Sequence, residues 1–492
     1  MSVRALGHHD LFIGGSSVPA SNGERSALLD PATNEPLATV AVGGRADALH
    51  ALEVAEGAFA RSGWAGEDGA KRAKALFRLA NRLEEQLDPF AELESLNQGK
   101  TLREAKGDIQ FVVRTLEYFA GLADKLQGET IPVPGGRLDY TLKEPLGVTV
   151  HIAPWNFPLV LAMRSVAPAL AAGNAVVLKP ASLTPLTALR LAALAIEAGV
   201  PAGIFNVVVG PGREVGESLI TDPRCRSVSF TGSLEVGRRI AELAGGRRVP
   251  MTLELGGKGP VVVFPDADLD RVARGVGWGI FGNAGQMCWA GSRLLVHASV
   301  REELVGRVQA FAEKIRVAPG TEPNAEMGPL VSREQKERVL GFVEEARGAG
   351  AKTVTGGSAY LDGPLARGNF LPPTVLESVD PSMRVVQEEV FGPVLSVLPF
   401  SSVEEALSLA NASPYGLLGS VWTRDLSTAH SVARRLECGM VTINDPPMTF
   451  PQTPFGGYKA SGLGSEQGRE AVEFYTRRKN VLVNLGSGKP KA

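Results

Sequence analysis

Cys288 lies in a stretch that could present a thiol to a reacting molecule. The stretch FGNAGQMCW (281–289) surrounds it with small and polar residues, whereas a buried structural cysteine prefers an apolar run. Gly282, Ala284 and Gly285 leave room for a close approach to the backbone. Such a thiol is a nucleophile if its surroundings favour the thiolate. An inert packing role is the alternative, and this stretch alone does not exclude it.

Asn156 and Glu254 each follow a predicted strand and could act beside such a thiol. Asn156 lies in the turn APWNFP (153–158), where two prolines hold the backbone and the side-chain amide can donate hydrogen bonds. Glu254 stands between two leucines, and burial there would raise its pKa towards the range of a useful general base. Alternatively, Asn156 is an ordinary turn residue and Glu254 is a salt-bridged residue at the edge of a sheet. The two residues alone do not decide between these interpretations.

Lys179 and the stretch FTGSLEVG (230–237) also follow predicted strands. Lys179 stands where a ribose or a phosphate could reach, and the glycines with Ser233 open a helix whose free N–H groups suit a pyrophosphate. Two glycine-rich stretches are not interpreted as phosphate-binding sites. Residues 277–282 match the dinucleotide fingerprint GxGxxG inside a helical pattern, and 210–216 follow a strand with a last spacing one residue too long.

The order of the predicted elements would place these residues on one edge of a sheet. Residues 11–45 are typical of hairpins and turns, and about 45–123 show helical spacing. From residue 147 onward, apolar runs alternate with helical stretches, which predicts a doubly wound parallel sheet. Ligands bind at the carboxyl ends of the strands in such a sheet. The strands are predicted at 147–152, 174–179, 205–209, 227–230 and 251–255.

A second alternating series runs from residue 260 to about 442, and we expect the boundary between the two series near Gly256–Gly259. Segments 124–145 and 478–485 have the pattern of strands but no partner nearby in sequence. We expect them to cross to another subunit, because pairing there would satisfy strand edges that are otherwise open to aggregation.

Length and composition exclude several classes of protein. With 492 residues, the chain is too long for one hydrophobic core, so we expect two or three domains. A formal net charge of −2 predicts no nucleic-acid or anionic-membrane partner. Three cysteines without a CxxC pair predict neither a disulfide framework nor a metal site. Without a signal-peptide core in residues 1–15 or a membrane-length apolar run, the expected location is the cytoplasm.

Six motifs together resemble those of the NAD(P)-dependent aldehyde dehydrogenase superfamily, in its hydrolytic, non-acylating branch. The likeness extends from about residue 10 to 485, and six motifs in order are specific although each alone is weak. The motifs are PWNFP (154–158), FTGS (230–233), LELGGK (253–258), GQMC (285–288), EEVFGP (388–393) and PFGGYKASG (454–462).

The resemblance implies an α/β protein with three parts. A Rossmann-type parallel-sheet cofactor domain takes residues 1–123 and 146–256, and a second α/β catalytic domain takes 257–456. A small β oligomerisation arm takes 124–145 and 472–492. The family also forms dimers and dimers of dimers, so the resemblance implies a homodimer or a homotetramer.

The resemblance implies a role for each candidate catalytic residue. Cys288 attacks the aldehyde carbon, while the amide of Asn156 and the N–H of Cys288 itself hold the oxyanion. A hydride passes to the nicotinamide, and water deprotonated by Glu254 releases the carboxylic acid from the thioester. Cys225 and Cys438 match no catalytic position, and we interpret both as packing residues.

The resemblance also implies a cofactor site and leaves its preference between NAD and NADP open. Many NAD-preferring relatives have a glutamate where this chain has Ser182, so we predict that NADP is accepted here. Arg213 could assist, with a solvated surface arginine as the alternative. The implied cofactor-binding residues are Trp155, Lys179, Ser182, Thr231, Gly232, Ser233, Gly237, Leu255, Glu389 and Phe391.

The expected substrate is a medium-sized apolar or aromatic aldehyde. Relatives that oxidise succinic semialdehyde share Arg164, which would pair with a substrate carboxylate, but usually carry a second arginine where this chain has Gly282. A semialdehyde with a carboxylate tail is therefore the alternative. The other candidates for the pocket wall are apolar, and they are Phe157, Met163, Met287, Trp289, Met448 and Phe450.

Two other functions are weighed against this one. Acylating relatives, which pass the thioester to coenzyme A, generally lack the glutamate that matches Glu254. A catalytically inactive binding or structural relative would have lost Cys288, Asn156 or Glu254, and all three are present. The sequence therefore favours a hydrolytic dehydrogenase.

Overall fold

The computed structural model describes residues 6–66 and 68–486, so the outermost residues of the predicted cofactor domain (1–5) and arm (487–492) lie outside it. The helical prediction for about 45–123 is confirmed by four helices. The strands of this first part are β1 His8–His9, β2 Leu11–Ile13, β3 Ser16–Val18, β4 Arg25–Leu29 and β5 Pro36–Ala41. The helices are α1 Arg45–Arg61, α2 Gly69–Glu85, α3 Leu87–Gln98 and α4 Leu102–Leu122.

The next part contains the strand and helix alternation that the sequence predicts. A π-helical turn, Gly212–Gly216, precedes its shortest helix. The strands are β6 Thr130–Ile131, β7 Arg137–Pro145, β8 Val148–Ile152, β9 Ala175–Lys179, β10 Phe205–Val207, β11 Cys225–Thr231 and β12 Met251–Glu254. The helices are α5 Pro158–Ala171, α6 Leu186–Glu197, α7 Glu217–Thr221 and α8 Leu234–Gly246.

The remaining elements form the second alternating series and the tail. The strands are β13 Pro260–Val263, β14 Arg293–His297, β15 Lys352–Thr355, β16 Thr374–Glu377, β17 Val394–Phe400, β18 Tyr415–Gly416, β19 Leu418–Trp422, β20 Met440–Ile443, β21 Tyr458–Lys459, β22 Gly462–Leu463 and β23 Thr476–Asn484. The helices are α9 Leu269–Phe281, α10 Arg301–Lys314, α11 Arg333–Gly348, α12 Arg384–Gln387, α13 Val403–Asn411, α14 Leu426–Arg435 and α15 Gly468–Phe474.

Two large sheets organise the molecule. The first has the order β22-β12-β11-β8-β9-β10-β2-β3, and its five central strands are parallel. The second has the order β15-β16-β17-β14-β13-β19-β20, with only β15 antiparallel. Helices cover both faces of a parallel sheet, so its strands are rich in buried aliphatic residues, as in Ala175–Lys179 and Pro260–Val263. The predicted α/β fold class is confirmed.

Each large sheet has its own hydrophobic core, and the two cores divide near residues 256–259. The first core uses residues from Leu11 to Leu255 and adds Ala471, Val472 and Tyr475 from the tail. The second core uses residues from Val261 to Leu436. None of the helices within 6–66 and 68–486 combines the length and apolar character that a membrane crossing requires.

The two strand segments outside the alternating series pair with each other. β23 lies antiparallel to β7 over nine residues, from Thr476 opposite Pro145 to Asn484 opposite Arg137, and β6 pairs with the other side of β7. The sequence analysis found no partner for the tail and expected it to cross to another subunit. The structure supplies the missing partner strand, because β7 belongs to the same chain, and the expected crossing of the arm to another subunit stays a prediction.

Candidate active site

The loop after α9 determines where Cys288 points. Three consecutive residues, Asn283, Ala284 and Gly285, have φ of 46°, 52° and 73°, which turns the chain sharply after the helix ends at Phe281. At Gly285 a side chain has no space, because an added Cβ would collide with the carbonyl oxygen of Gly392. The small residues that suggested a close approach to the backbone therefore make a left-handed turn.

Asn156 connects this loop to the turn after β8. Its amide nitrogen is buried and donates to the carbonyl of Gln286 (2.9 Å), while Asn283 Nδ2 donates to the carbonyl of Asn156 (2.9 Å). An amide nitrogen has two N–H groups, so one of them can still serve an oxyanion. The prolines on either side of Asn156 contribute too, since Pro158 is the first residue of α5 and favours its start.

One cavity of about 220 Å³ contains all three predicted catalytic side chains. Asn156 enters it from the end of β8, Glu254 from the end of β12 and Cys288 from the loop after α9. The cavity is also lined by three residues that the sequence analysis missed, and they are Leu161, Gln335 and Arg338. Local sequence gave no signal for Leu161, because the predicted pocket residue one helical turn before it, Phe157, does not line this cavity.

Glu254 has the environment of a general base. Both carboxylate oxygens are buried and have no hydrogen-bond partner among the described residues. Burial raises the pKa of Glu254 well above its ordinary value, the positive charge of Arg164 opposes that rise, and the charge of Glu466 adds to it. A carboxyl group with a raised pKa is well matched to accepting a proton near neutral pH.

The surroundings of Cys288 disfavour the thiolate form of its side chain. Burial raises its pKa to about 12, and the charge of Arg164 opposes this effect, whereas the charges of Glu389 and Glu254 add to it. The thiolate therefore forms only when a proton acceptor or a nearby positive charge assists.

A larger crevice of about 800 Å³ lies at the carboxyl ends of β8, β9 and β11. It shares Pro154, Trp155, Thr231, Gly232 and Ser233 with the smaller cavity, so the two are joined. This is the place where a doubly wound sheet binds a nucleotide. Besides these predicted residues, the crevice is lined by side chains of the π-helical turn and of α7 and α8, among them Arg213, Glu217, Glu235 and Arg239.

Several features of the crevice suit a dinucleotide. Ser233 caps α8 by accepting from Val236 N (3.4 Å), which leaves the first turn of the helix facing the crevice. At Gly237 an added Cβ would lie 2.5 Å from Leu255 Cδ2, so only glycine allows this close packing of helix and strand. Lys179 is buried, and burial lowers its pKa to about 8.

The predicted nicotinamide end of the site lies in the smaller cavity. Glu389 accepts from Gly257 N (3.0 Å), and burial raises its pKa to about 7. The ring of Phe391 meets the ring of Trp155 edge to face, with centroids 5.2 Å apart. Two of the predicted cofactor residues, Ser182 and Gly237, line neither cavity. Ser182 is exposed and donates to the carbonyl of Gly210 (3.2 Å).

Comparison with known proteins identifies this architecture. A model of the aldehyde dehydrogenase family matches residues 18–481. The chain belongs to the aldehyde dehydrogenase family. It is 43% identical over 476 residues to the betaine aldehyde dehydrogenase of Bacillus subtilis (strain 168), covering 96% of this chain and 97% of that protein.

Solved structures of aldehyde dehydrogenases have the same fold as this family member. The NAD+ complex of the aldehyde dehydrogenase from Bacillus cereus superposes with a TM-score of 0.95 at 41% identity, covering 97% of both chains. The NAD+ complex of betaine aldehyde dehydrogenase from Staphylococcus aureus also gives a TM-score of 0.95, at 38% identity and covering 98% of this chain and 96% of that one. The predicted family and enzyme class, an NAD(P)-dependent aldehyde dehydrogenase, are confirmed.

The residues predicted to form the substrate pocket of this aldehyde dehydrogenase do not line the cavity around Cys288. Met287 is buried in the second core, and Trp289 is half-buried against it. Phe157 is half-buried with the ammonium of Lys100 above its ring, 4.1 Å from the centroid. Phe450 is 47% exposed. Their roles in substrate binding stay predictions. Of the two methionines also considered, Met163 is buried and Met448 is exposed.

Arg164 does not face a substrate as the sequence analysis supposed. Its Nε donates to Glu466 Oε2 (2.6 Å) in an ion pair whose side chains are both 3% exposed. The prediction that Arg164 binds a substrate carboxylate is therefore corrected, because Glu466 already takes the charge that such a substrate would need. The signal was absent from local sequence, since the two residues are 302 positions apart.

Proposed function

We propose that this aldehyde dehydrogenase oxidises a medium-sized apolar or aromatic aldehyde to its carboxylic acid with NAD+ or NADP+, through a thioester on Cys288. The observation that carries this proposal is the single cavity that contains Asn156, Glu254 and Cys288 and opens into the crevice at the carboxyl ends of the parallel strands. A nucleophile, an amide donor and a carboxyl base are the groups that such an oxidation requires.

The first half of the reaction uses Cys288 and Asn156. Cys288 Sγ gives its proton to a water molecule and bonds to the aldehyde carbon, and the carbonyl π electrons move to the oxygen. The amide of Asn156 and the N–H of Cys288 donate to the resulting oxyanion, and one such donor contributes roughly 2.7–4 kcal/mol to the transition state. When bound, the nicotinamide cofactor supplies the acceptor for the hydride that leaves this carbon, and a thioester on Cys288 remains.

The second half uses Glu254. Its carboxylate accepts a proton from a water molecule whose oxygen attacks the thioester carbon. The C–S bond breaks, the carboxylic acid leaves, and the sulfur of Cys288 is free for another cycle. Glu254 supports hydrolysis because its oxygens are buried in the same cavity as the sulfur and have no hydrogen-bond partner among the described residues.

The shape of the crevice supports a nicotinamide dinucleotide as the cofactor. The solved structures of the relatives from Bacillus cereus and Staphylococcus aureus are complexes with NAD+. In this proposal Lys179 would hold the adenosine ribose and the Gly232–Ser233 turn the phosphates, and the position of all three in the lining of the crevice supports these roles. Glu389 and Phe391 would contact the nicotinamide end, which their position in the lining of the smaller cavity supports. Ser182 follows Ala181, which lines the crevice, and because the chain has no carboxylate at position 182 that could reach in and repel a 2′-phosphate, we expect NADP+ to be accepted as well.

Two observations favour an uncharged substrate. Arg164 is neutralised by Glu466, so the cavity lacks this guanidinium as a partner for a carboxylate tail. Leu161, which lines the cavity, offers an apolar wall. The second candidate is betaine aldehyde, which the 43%-identical relative is named for. A quaternary ammonium favours the face of an aromatic ring, but the aromatic residues that line the cavity, Trp155 and Phe391, are those assigned to the cofactor.

Initial rates with benzaldehyde, hexanal, betaine aldehyde and succinic semialdehyde, each with NAD+ and NADP+, test the substrate assignment. The absorbance of the reduced nicotinamide gives kcat/KM for each pair. We expect the highest values for benzaldehyde or hexanal and measurable rates with both cofactors. A higher kcat/KM for betaine aldehyde would replace the proposed substrate class with the second candidate, and the mechanism would stand.

The Cys288→Ser variant tests the mechanism itself. We expect kcat to fall by at least about 1,000-fold, because a hydroxyl is a far weaker nucleophile than a thiolate at neutral pH. The matched control is Cys438→Ser, whose half-buried thiol lies outside the cavity and which should keep wild-type activity. Mass spectrometry of a wild-type sample quenched during turnover should find the acyl group on Cys288, and an active Cys288→Ser variant would refute the mechanism.

A further inference from the structure

A buried lysine contacts the turn that carries Asn156. Lys100 belongs to the three-residue connection between α3 and α4, and its side chain is fully buried. Its ammonium lies over the ring of Phe157, 4.1 Å from the centroid, and pairs with Asp108 on α4. Phe157 directly follows Asn156 in the chain and is the N-cap residue of α5. Lys100 therefore contacts the neighbour of the proposed oxyanion donor without lining the cavity itself.

A buried glutamate on α3 holds the next residues of the same segment. Oε1 of Glu94 accepts from Leu159 N (3.4 Å), and its Oε2 accepts from Thr187 Oγ1 (2.6 Å). Phe157 supplies no side-chain cap for α5, and Pro158 has no N–H, so Leu159 presents the first N–H of this helix. A carboxylate at the N-terminus of a helix also interacts favourably with the helix dipole. Glu94 thus takes the place of the missing cap.

The charge of Lys100 favours the carboxylate form of both acidic neighbours. Burial raises the pKa of Glu94, and the charge of Lys100 opposes that rise. Burial also raises the pKa of Asp108, to about 6, and both the charge and the hydrogen bond of Lys100 oppose it. Stability alone does not account for such a cluster, since apolar residues of similar volume are often as stable in place of a buried ion pair. A positioning role accounts for it, because the ammonium also fixes a ring next to a catalytic group.

We propose that Lys100 is a positioning residue for the oxyanion: by holding Phe157 at the start of α5, it keeps the amide of Asn156 aimed at the oxygen of the reacting carbonyl. This role rests on the proposed function, because it requires Asn156 as an oxyanion donor. Among the described residues, the hydrogen bonds of Asn156 go to Gln286 and Asn283 on the catalytic loop, so they fix one side of its turn. Lys100 fixes the other side.

The experiment uses 4-nitrophenyl acetate, an ester that can acetylate the Cys288 thiol without a nicotinamide. Acylation of the thiol passes through an oxyanion, as the attack on an aldehyde does. Rapid-mixing measurement of the nitrophenolate released in the first turnover gives two quantities, the maximal rate constant of acylation and the ester concentration that gives half of it. Thermal unfolding shows whether each variant is folded.

Lys100→Met removes the charge and keeps most of the volume. We expect the acylation rate constant to fall about tenfold to 100-fold, since displacing a catalytic group by about 1 Å has effects of this size. The half-saturating ester concentration should stay within about twofold of the wild-type value, because an oxyanion donor acts on the transition state and not on the bound substrate. The control is Lys106→Met, which removes an exposed lysine of α4 that pairs with Asp88, and its rate constant should be unchanged.

A double-mutant cycle with Asn156→Ala distinguishes positioning from a general loss of structure. If Lys100 acts through Asn156, Lys100→Met should slow acylation by less than about twofold in the Asn156→Ala background, where no amide is left to misplace. A general loss of structure would slow acylation by the same factor in both backgrounds. Equal factors would therefore overturn the proposal, and so would a Lys100→Met variant that is acylated at the wild-type rate.

If Lys100→Met does not fold, the double variant Lys100→Met/Asp108→Asn replaces it, since it leaves neither charge of the ion pair alone. The same dependence on Asn156 is expected, and equal factors in the two backgrounds would again overturn the proposal while the proposed function stands. Asn156→Ala that is acylated at the wild-type rate would refute the oxyanion donor itself, and with it both this role and the mechanism of the proposed function.

Discussion

At the scale of single residues, the backbone conformation of Gly285 decides where the nucleophile stands. Its φ of 73° is in the left-handed region, which costs a residue with a side chain roughly 1–2 kcal/mol. The two residues before it, Asn283 and Ala284, adopt positive φ without being glycines. Strain of this kind persists only where neighbouring contacts enforce it, and here the hydrogen bonds of Asn283 to Asn156 and Glu104 do so.

Gly285→Ala should separate activity from folding. We expect the added Cβ to push the loop away from the carbonyl of Gly392 and to misplace Cys288, and kcat to fall about 100-fold, as displacements of about 1 Å can cause. Kinetics and circular dichroism check this outcome. The control is Gly306→Ala on α10, where an added Cβ meets no atom within 4 Å, so kcat should be unchanged. Equal activity of the two variants would contradict the role of this turn.

At the scale of elements, the start of α4 is attached to the catalytic loop. Glu104 closes the capping box of this helix by accepting from Thr101 N (2.9 Å) through one oxygen, and its other oxygen accepts from Asn283 N (2.7 Å). Gln98, at the end of α3, adds a second contact by donating to Asn283 Oδ1 (3.1 Å). Two helices of the first part of the chain therefore hold the loop that carries Cys288.

Glu104→Ala and Thr101→Ala should have different effects. Thr101→Ala loses the N-cap of α4, which typically costs about 0.5–2 kcal/mol in the free energy of unfolding, whereas Glu104→Ala keeps that bond and loses only the other half of the capping box. Only Glu104→Ala also leaves the buried N–H of Asn283 unpaired, so only this variant should show a lower kcat. Thermal unfolding and steady-state kinetics measure the two effects. A Glu104→Ala variant with wild-type kcat would show that the contact serves stability alone.

At the scale of the whole molecule, the C-terminal strand returns across the chain to complete the arm. Its pairing with β7 joins segments that are more than 300 residues apart, and β7 leads directly into β8 of the large sheet. The arm carries an exposed set of large apolar side chains, namely Ile131, Leu138, Leu142, Leu482 and Leu485. The register puts Leu138 and Leu142 on one face of this sheet and Ile131 and Leu482 on the other. Exposed apolar side chains of this kind are typical of interfaces, so the predicted homodimer or homotetramer stays our expectation.

A double variant, Tyr140→Cys with Val481→Cys, tests the pairing of the arm. These residues are direct partners in the antiparallel register, where Cα atoms lie roughly 4.5–5.5 Å apart and a disulfide can form. After mild oxidation, a non-reducing gel should show a single-chain species whose mobility changes on reduction. The single variants should show no such change. A covalent dimer would indicate that β23 pairs with β7 of another subunit.

Much of this protein is determined by its sequence alone. The alternation of apolar runs and helical stretches predicts a parallel α/β fold because buried strands and amphipathic helices leave local patterns. The residues Cys288, Asn156 and Glu254 are recognisable because each lies in a short motif next to a strand or turn. Parallel strands bring their carboxyl ends to one edge, so the meeting of Asn156 and Glu254 also follows from the order of the elements, whereas Cys288 reaches them from the loop after α9.

Only the tertiary structure decides which partners the remaining residues have. By its sequence, Arg164 could face either a substrate or a carboxylate of the protein. In the structure its partner is the carboxylate of Glu466, which is distant in sequence. The tail strand likewise finds β7 in its own chain, and the exposed Ser182 lies outside the crevice that it was expected to line. Charge pairs and strand pairs form through space between distant segments, and no periodicity or motif records which of several complementary partners the folded chain brings within reach.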